Sequence, residues 1–540
     1  QMCIRDRMNR AIVVFLLPIL LLGELFSFHG SVGIEAEFFP LPSPDEDGRP
    51  IYRFMFEPDW KIFGMPLSIN TLISSEESSL RQAINKYRIL LQPSKLIKGV
   101  AKAPNFVFSI SGVEIGTSYP EYSDYTLKGV PVNGLSIKFN PWIFFLAGAG
   151  GRMKRAVAGS DTTDGTYTRN ALGLKVGFGK EKGGHFFVNF LHTWDDSGSI
   201  PDFYKAYGDS DTTLVLSPEE NFVLGAEIQI FSEGSPFYIK TEGAVSQYTR
   251  DRTIKQEYVE EFPEWISSNF HPNISTSFDY AYSIVSGLGF GSTSLSFGYR
   301  YVGPGFTTSG NPQLRKDRRG FDIQLNTGFS NLLTFMFAMN NDYNNTAGIT
   351  TTTRFRTFTF QAGVFIPHLP YINILYSPYR ETDLEGGGER GYDLLTISTG
   401  MFFRVASLNN SVNLTYSNNA YSDTTTPYVS NGIQLSLSMG FPSAVNLNIS
   451  TGYQRCTYTD SVSSMKNLDI SVDFPISMFE NSAGITFDTG DESTTTIYGD
   501  TELDAGLIGI FRFRTEFSSN HNSKGDYNEM YLKLTYSKKW

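Results

Sequence analysis

Leu172-Gly173-Leu174-Lys175-Val176-Gly177-Phe178 puts four apolar side chains on one side of an extended backbone and Gly, Lys and Gly on the other. Successive side chains of a strand point to opposite faces, so this stretch is a ribbon with one apolar face. The pattern recurs. Phe222, Leu224, Ala226, Ile228 and Ile230 alternate with Val223, Gly225, Glu227 and Gln229. Leu295, Phe297, Tyr299 and Tyr301 oppose Ser294, Ser296, Gly298 and Arg300, and 433–441, 445–449 and 468–474 alternate likewise. The units are close to the ~9–11 residues that a tilted strand needs to cross a bilayer. From about residue 105 to the last residue, alternation of period two dominates, and the fold class it predicts is all-β.

Composition agrees. Hydrophobic residues make up 40% of the 540 residues, and aromatics, mostly 44 Phe and 29 Tyr, reach 14%. Charged residues are 18%, and mean hydropathy is -0.19. Few aliphatics with much Gly, Ser, Thr and Asn suit strands wetted on one face and not a Leu-rich α/β core. A net charge of -11 excludes nucleic acid as a partner, because the phosphate backbone demands a basic face. The two cysteines, Cys3 and Cys456, exclude a disulfide framework and a cysteine zinc site.

The first thirty residues read as an export signal. Met8, Asn9 and Arg10 form a short basic start, and 11–22 is apolar throughout apart from Pro18. That run falls short of the ~20 residues a membrane helix needs and fits a signal-peptide core, with cleavage expected near 27–31. Residues 1–7 are unlike any such start and read as an upstream translation or assembly artefact. Cys3 precedes the apolar run and is therefore no lipid anchor.

A single-sided apolar face suits a soluble sandwich as well as a membrane barrel. Here the polar face is often small or uncharged, as expected for a wet lumen, and aromatics such as Trp194, Phe511, Phe513 and Phe517 sit near strand ends. Closure into a barrel also removes the exposed edges that so many strands would otherwise leave. The chain ends on 531–540, in which Leu532, Leu534, Tyr536 and Trp540 share a face. With its terminal aromatic this segment resembles the C-terminal β-signal of bacterial outer-membrane, porin-like β-barrels, departing from it at Lys538. The resemblance implies a bacterial outer membrane, with the lipid bilayer and lipopolysaccharide as surroundings and the barrel-assembly machinery as a partner of the last strand. Asp195-Asp-Ser-Gly-Ser-Ile200, Pro218-Glu-Glu-Asn221 and Tyr299-Arg-Tyr-Val-Gly-Pro-Gly305 are similar to uncharacterised large outer-membrane barrels, which implies no activity.

The expected architecture is one large antiparallel up-and-down transmembrane barrel over 105–540. Residues 31–104 add strands or, alternatively, a small plug. Leu67, Ile69, Thr71 and Ile73 alternate like a strand, whereas 80–91 fits a strand or a helix. The units number about 20 after residue 105 and two to four before it, about 22 in all within a range of roughly 18–26. Tight connections are expected at 441–444 and 474–477, and long polar ones at 195–219, 249–276, 303–319, 379–391 and 417–431.

Few constellations suggest chemistry. His192 beside Asp195 and Asp196 invites comparison with omptin-type barrel proteases, but reproduces no such motif and reads as a strand-end His before an acidic loop. Asp195, Asp196 and Asp202 could hold a loop calcium ion, without EF-hand spacing. No Ser–His motif of the barrel phospholipases is present. Gly148-Ala-Gly150-Gly151 mimics half a dinucleotide fingerprint, yet no helix pattern follows, so it reads as small residues in a curved strand. Asn413-Leu-Thr415 and Asn448-Ile-Ser450 are glycosylation sequons inside strands and read as lumen-facing polar residues. No enzyme, cofactor or metal site is expected.

The basic run Arg315, Lys316, Arg318 and Arg319 is the main candidate site. Folded inward it would form an anion-selective constriction; hanging outside it would meet lipopolysaccharide phosphates or be an ordinary solvated loop. Other inward charges, Lys138, Lys175, Lys240, Glu242, Asp469, Asp473, Arg512, Arg514 and Glu516, have mixed signs and predict a hydrated interior of weak ion selectivity. Three functions follow as expectations: a passive channel for small solutes, a component of protein or polysaccharide export, or a closed, surface-binding barrel. No energised-uptake plug or periplasmic repeat domain is expected ahead of the barrel.

Overall fold

The computed structural model describes residues 26–540 except 43–47, 76–84, 99–102, 158–164, 201–215, 233, 256–271, 331, 424–426 and 523–524. The regular structure of the described residues is strand throughout, apart from 3-10 turns at Pro93–Lys95 and Asn105–Ser109. The first four strands are β1 (Phe26–Leu41), β2 (Ile51–Ile62), β3 (Met65–Ser74) and β4 (Lys86–Leu91). Then come β5 (Ile110–Ser118), β6 (Val132–Phe139), β7 (Phe144–Lys154), β8 (Thr168–Gly179) and β9 (His185–Asp196). β10 (Glu220–Ile230), β11 (Phe237–Thr249), β12 (Thr276–Phe290) and β13 (Thr293–Val302) follow. Next are β14 (Arg318–Phe329), β15 (Leu333–Tyr343), β16 (Thr353–Val364), β17 (Tyr371–Asp383) and β18 (Glu389–Val405). β19 (Leu408–Ser422), β20 (Tyr428–Gly440), β21 (Asn446–Tyr458) and β22 (Val462–Ile476) come next. β23 (Phe479–Thr489), β24 (Ser493–Asp504), β25 (Ile510–Asn522) and β26 (Gly525–Lys539) complete the series.

Every strand pairs antiparallel with its sequence neighbour, and β1 pairs with β26, so the sheet closes on itself. The seam is an ion network on the inner face. Lys533 of β26 bonds Glu35 and Glu37 of β1 at 2.8 and 2.9 Å, and Arg53 of β2 pairs with the same two carboxylates. On the outer face Trp540 lies 5.6 Å from Phe28 and 6.3 Å from Phe56. A Cβ on Gly30 would come within 2.8 Å of that indole, so glycine there makes room for the terminal side chain.

The alternation separates the two faces as its period requires. Leu172, Leu174 and Phe178 are exposed on the outside, whereas Lys175 and Gly177 face inward and are buried. The same division holds for Leu295 and Phe297, for Ile433 and Leu435, and for Phe511, Phe513 and Phe517, all exposed. Soluble proteins rarely expose apolar patches beyond a few hundred Å². Here an apolar band circles the barrel. Inside, the wall from β18 to β25 carries small polar groups interspersed with charges: Ser438 bonds Asn448 at 2.7 Å, Ser436 meets Ser450 at 3.2 Å, Thr496 meets Ser518 at 2.9 Å, and Arg512 pairs with Asp500 at 2.9 Å.

Most connections alternate in length. The chain ends and most short turns share one rim, with 92–109 as its long exception; the longer loops share the other, where 459–461 and 490–492 are short. Phe63 and Gly64, both at positive φ, close the two-residue turn between β2 and β3, a twist that suits hairpin strands. The short-turn rim carries exposed Trp142, Ile366, Met478 and Leu507.

The strand number expected at about 22 is corrected to 26 among the described residues. Stretches 379–391 and 417–431, expected to be long loops, are mostly strand: only 384–388 separates β17 from β18, and only 423–427 separates β19 from β20. Polar and charged residues continue up these strands beyond the apolar band, so composition there resembles a loop while the backbone remains paired. Two-residue turns such as 406–407 and 477–478 also hide the boundary between neighbouring strands. Within 31–104 the described residues form β1 to β4 and the 3-10 turn Pro93–Lys95, and 80–84 of the ambiguous 80–91 lies outside the described residues. β1 begins at Phe26, inside the leader expected over 1–30, whose apolar run lies outside the described residues.

Candidate functional site

Two connections on the long-loop rim fold into the barrel: 119–131, between β5 and β6, and 303–317, between β13 and β14. Tyr122, Tyr125, Leu127, Val130 and Phe306 from these segments are all buried. They pack on Phe145, Phe187, Leu191, Val223 and Val302 of the inner wall, forming one apolar cluster. Burying a large apolar side chain contributes roughly 1.5–3 kcal/mol, so several together keep the two loops docked. Tyr125 and Phe306 meet edge to face at 5.9 Å.

Polar contacts fix the pair in place. Lys128 donates its N–H to the Gly310 carbonyl at 2.8 Å, Thr308 donates its hydroxyl to the Thr126 carbonyl at 2.8 Å, and Asn311 reaches the Asp124 carbonyl at 2.8 Å. The wall holds both. Lys175 of β8 donates to the Tyr122 carbonyl at 2.6 Å, and Glu242 of β11 accepts the Tyr125 N–H at 3.2 Å. Asn221 of β10 donates to the Thr307 carbonyl at 2.9 Å and accepts from the Ser309 N–H at 2.9 Å; Asp279 of β12 accepts the Gly305 N–H at 2.8 Å. Gly310 is needed because a Cβ there would lie 2.1 Å from the Thr126 carbonyl. Gly173 on the wall lets Tyr122 approach, its Cβ position being 2.7 Å from the ring. Burial pushes the Tyr122 and Tyr125 phenols up, the latter to about 12, so both are neutral hydroxyls at physiological pH.

Below and beside the loops lies a cavity of about 760 Å³ lined by charges of both signs. Lys128, Arg300, Arg315 and Arg318 supply cations; Glu121, Asp124, Asp322 and Asp342 supply anions. Lys128 and Asp124 pair at 2.5 Å, an interaction that holds the Lys128 ammonium above its usual pKa despite partial burial. Arg300 and Asp342 also pair at 2.5 Å. Arg318 stacks its guanidinium 3.6 Å from the Phe355 ring centroid. Such a surface can hold a small solute carrying both charge signs or several hydroxyls.

The basic run of the sequence is divided by this fold. Arg315 and Arg318 line the cavity, and Lys316 lines a neighbouring one of about 240 Å³ with Arg169 and Glu219. Arg319, one residue further along the strand, points to the outer face beside Tyr301 and Tyr343. His192 and Asp195 also lie on opposite faces of β9. His192 bonds Glu220 at 2.8 Å on the outer face, whereas Asp195 faces inward and is buried against the Arg169 guanidinium at 2.6 Å. His192 and Asp195 are thus separated by the wall, while Asp196, four residues beyond His192, shares its outer face. Asp202 of the calcium expectation lies outside the described residues. Gly148, Gly150 and Gly151 sit within β7, where a Cβ at Gly151 would approach the Asn133 carbonyl to 2.4 Å.

Sequence reasoning missed the 119–131 loop. A signal was present: β9 is apolar on both faces, with Phe187 and Leu191 inward and Phe186 and Phe190 outward. A strand in a wet lumen has no use for an inward Phe, so loss of alternation marks wall that something covers.

No protein-family profile matches the chain, and no curated protein sequence does. Among solved structures, the P pilus usher (PapC) translocation pore aligns over 96% of this chain and 99% of its own, at 10% identity and a TM-score of 0.39. The outer membrane protein opdK of Pseudomonas aeruginosa covers 60% of this chain and 94% of its own, at 10% identity and 0.31. OccAB4 of Acinetobacter baumannii covers 74% and 97%, at 13% identity and 0.29. At these values the likenesses are of general barrel type, and the closed barrel here rests on its own strand pairing.

Proposed function

We propose that this chain is an outer-membrane β-barrel through which small polar solutes pass passively, with the paired loops 119–131 and 303–317 narrowing one side of the lumen. The observation that carries the reading is the asymmetry of the inner wall. From β7 to β12 it is covered by the docked loops, whereas from β18 to β25 it is uncovered and hydrophilic, with Ser, Thr and Asn interspersed with charges such as Asp469, Asp473, Asp500 and Arg512. Twenty-six strands ~4.8 Å apart and tilted by ~40° enclose about 50 Å between opposing backbones if the section is circular. The docked loops occupy only part of such a space. Chain ends and short turns on one rim orient that rim to the periplasm and the long loops outward. The last strand then presents Leu532, Leu534, Tyr536 and Trp540 to the assembly machinery.

The test is single-channel conductance of the refolded chain in planar bilayers, intact and with 306–314 deleted. Stable nanosiemens-scale steps are expected, rising on deletion, with ion selectivity shifted because Arg315 and Lys316 lose their positions. A folded, inserted barrel without conductance would sink the channel reading. The width of the barrel supports a second reading, passage of an exported polymer; block of the current by an added polypeptide or polysaccharide would favour it.

A further inference from the structure

Four arginines stand on the outer face of β14, β16 and β17 in two neighbouring rows, immediately on the long-loop side of the apolar band. Register places them. Arg319 of β14 lies opposite Tyr301 and Tyr343; Tyr343 lies opposite Arg354 of β16. Arg356, two residues along β16, lies opposite Asn341 of β15 and Arg380 of β17. Each shares its face with outward apolar residues of its own strand, Phe321 and Ile323 below Arg319, Phe358 and Phe360 below Arg356, Tyr376 below Arg380. Beneath the arginines the band continues to Phe329 on the short-turn rim. From Phe321 to Phe329 the tilted strand descends roughly 20–25 Å, the height of a bilayer's apolar layer.

A cation on the lipid face costs about 2–4 kcal/mol at mid-membrane and almost nothing at the interface, so these side chains belong to the headgroup layer of the outer leaflet. Of the four, only Arg380 is neutralised by its neighbours among the described residues. Arg380 pairs with Asp393 at 2.7 Å and Glu389 at 3.5 Å. Arg319, Arg354 and Arg356 have no carboxylate within ion-pair distance among the described residues. Arg354 spends its Nε on Asn341 at 2.7 Å, and the buried Nε of Arg356 has no hydrogen-bond partner. Like charges directly opposite, as Arg356 and Arg380 are, repel. Next to Arg319 the outer face carries a tyrosine group: Tyr280, Tyr282, Tyr299 and Tyr301, with Tyr280 and Tyr301 stacked at 5.1 Å. Guanidinium groups with phenolic donors beside them, at headgroup height, are what a membrane-bound phosphate needs.

We propose that this outer patch, centred on Arg319, Arg354 and Arg356, binds the phosphate groups of lipopolysaccharide in the outer leaflet. The inference rests on the outer-membrane reading above and names the lipid partner and its site. The experiment is lipid retention. Wild type and an R319Q/R354Q/R356Q variant are purified from outer membranes, exchanged into mild detergent, and titrated with lipid A and with dephosphorylated lipid A, binding being read by native mass spectrometry. The expected result is at least tenfold tighter binding of lipid A than of its dephosphorylated form to wild type, and loss of that preference in the variant. Luminal R315Q, the control, keeps it. Equal retention of both lipids by wild type, or an unchanged preference in a variant that stays heat-modifiable and conducts normally, would overturn the site while leaving the channel standing. A wild-type chain that never reaches the outer membrane would overturn both.

Discussion

At the scale of single residues, Asp317 is the hinge of the inner loops. It is the last residue before β14, at positive φ, and its carboxylate accepts the N–H groups of Asn345 at 2.9 Å and Thr346 at 2.7 Å and the Thr346 hydroxyl at 2.9 Å. Burial opposes its ionisation, but these donors outweigh burial and hold the carboxyl below the usual carboxylate range. Asp251 holds Ser217 and Thr253 in the same way: burial raises its pKa, while the Thr253 hydroxyl and N–H and the Ser217 hydroxyl lower it further than burial raises it. A depressed carboxyl stabilises fully above the unfolded value of about 3.9 and ceases to do so as pH falls through the lower folded value. Below about pH 4 the long-loop rim is therefore expected to loosen, seen as faster proteolysis of 303–317. Asp317→Asn should show that faster cleavage already at pH 7. Gly310→Val is a second residue-scale prediction. Its side chain collides with the Thr126 carbonyl, so the two inner loops separate, conductance rises and stability falls by about 1–3 kcal/mol.

At the scale of elements, the closing seam is the vulnerable join, because β1 and β26 come from opposite ends of the sequence. Lys533→Met leaves Glu35 and Glu37 to Arg53, with the Tyr531 hydroxyl on Glu37 at 3.2 Å as the side-chain bond still crossing the seam. A charged hydrogen bond contributes about 1.5–3 kcal/mol, so the variant should unfold at a temperature lower by some degrees in a gel heat-shift assay. An unchanged transition would show that the seam holds without the Lys533 ion pairs. The hairpins themselves were legible: 172–178 and 433–441 became the strands their alternation predicts. The upper ends of β17, β18 and β19 were not, because outside the apolar band the face code stops while backbone pairing continues.

For the whole molecule, the two rims have different fates. Arg250, Arg252 and Lys255 stand on the long-loop rim, and Lys180 and Lys182 on the short-turn rim. Trypsin added to intact cells should cut at the first group and spare the second, and permeabilised cells should lose that distinction. Cleavage at Lys180 in intact cells would invert the barrel and with it the placement of the arginine patch. Mixed charge in the lumen is now particular: the cations and anions of the 760 Å³ cavity face one another beneath the docked loops, while on the far wall Arg512 pairs with Asp500 and Arg514 with Glu516 among Ser, Thr and Asn.

The sequence by itself determined the all-β class, the face each strand shows to the outside, and the rim on which long loops gather. These properties are local: side-chain period and turn length are set within some ten residues and need no partner to be read. Only the tertiary structure decided that 26 strands close through β1 and β26, that 119–131 and 303–317 meet inside, and that Arg315, Lys316 and Arg318 part from Arg319. Those outcomes depend on contacts between residues tens to hundreds of positions apart. Ring closure is a property of the count and stagger of all strands together, and a run of basic residues crossing from loop into strand acquires its faces only where pairing begins.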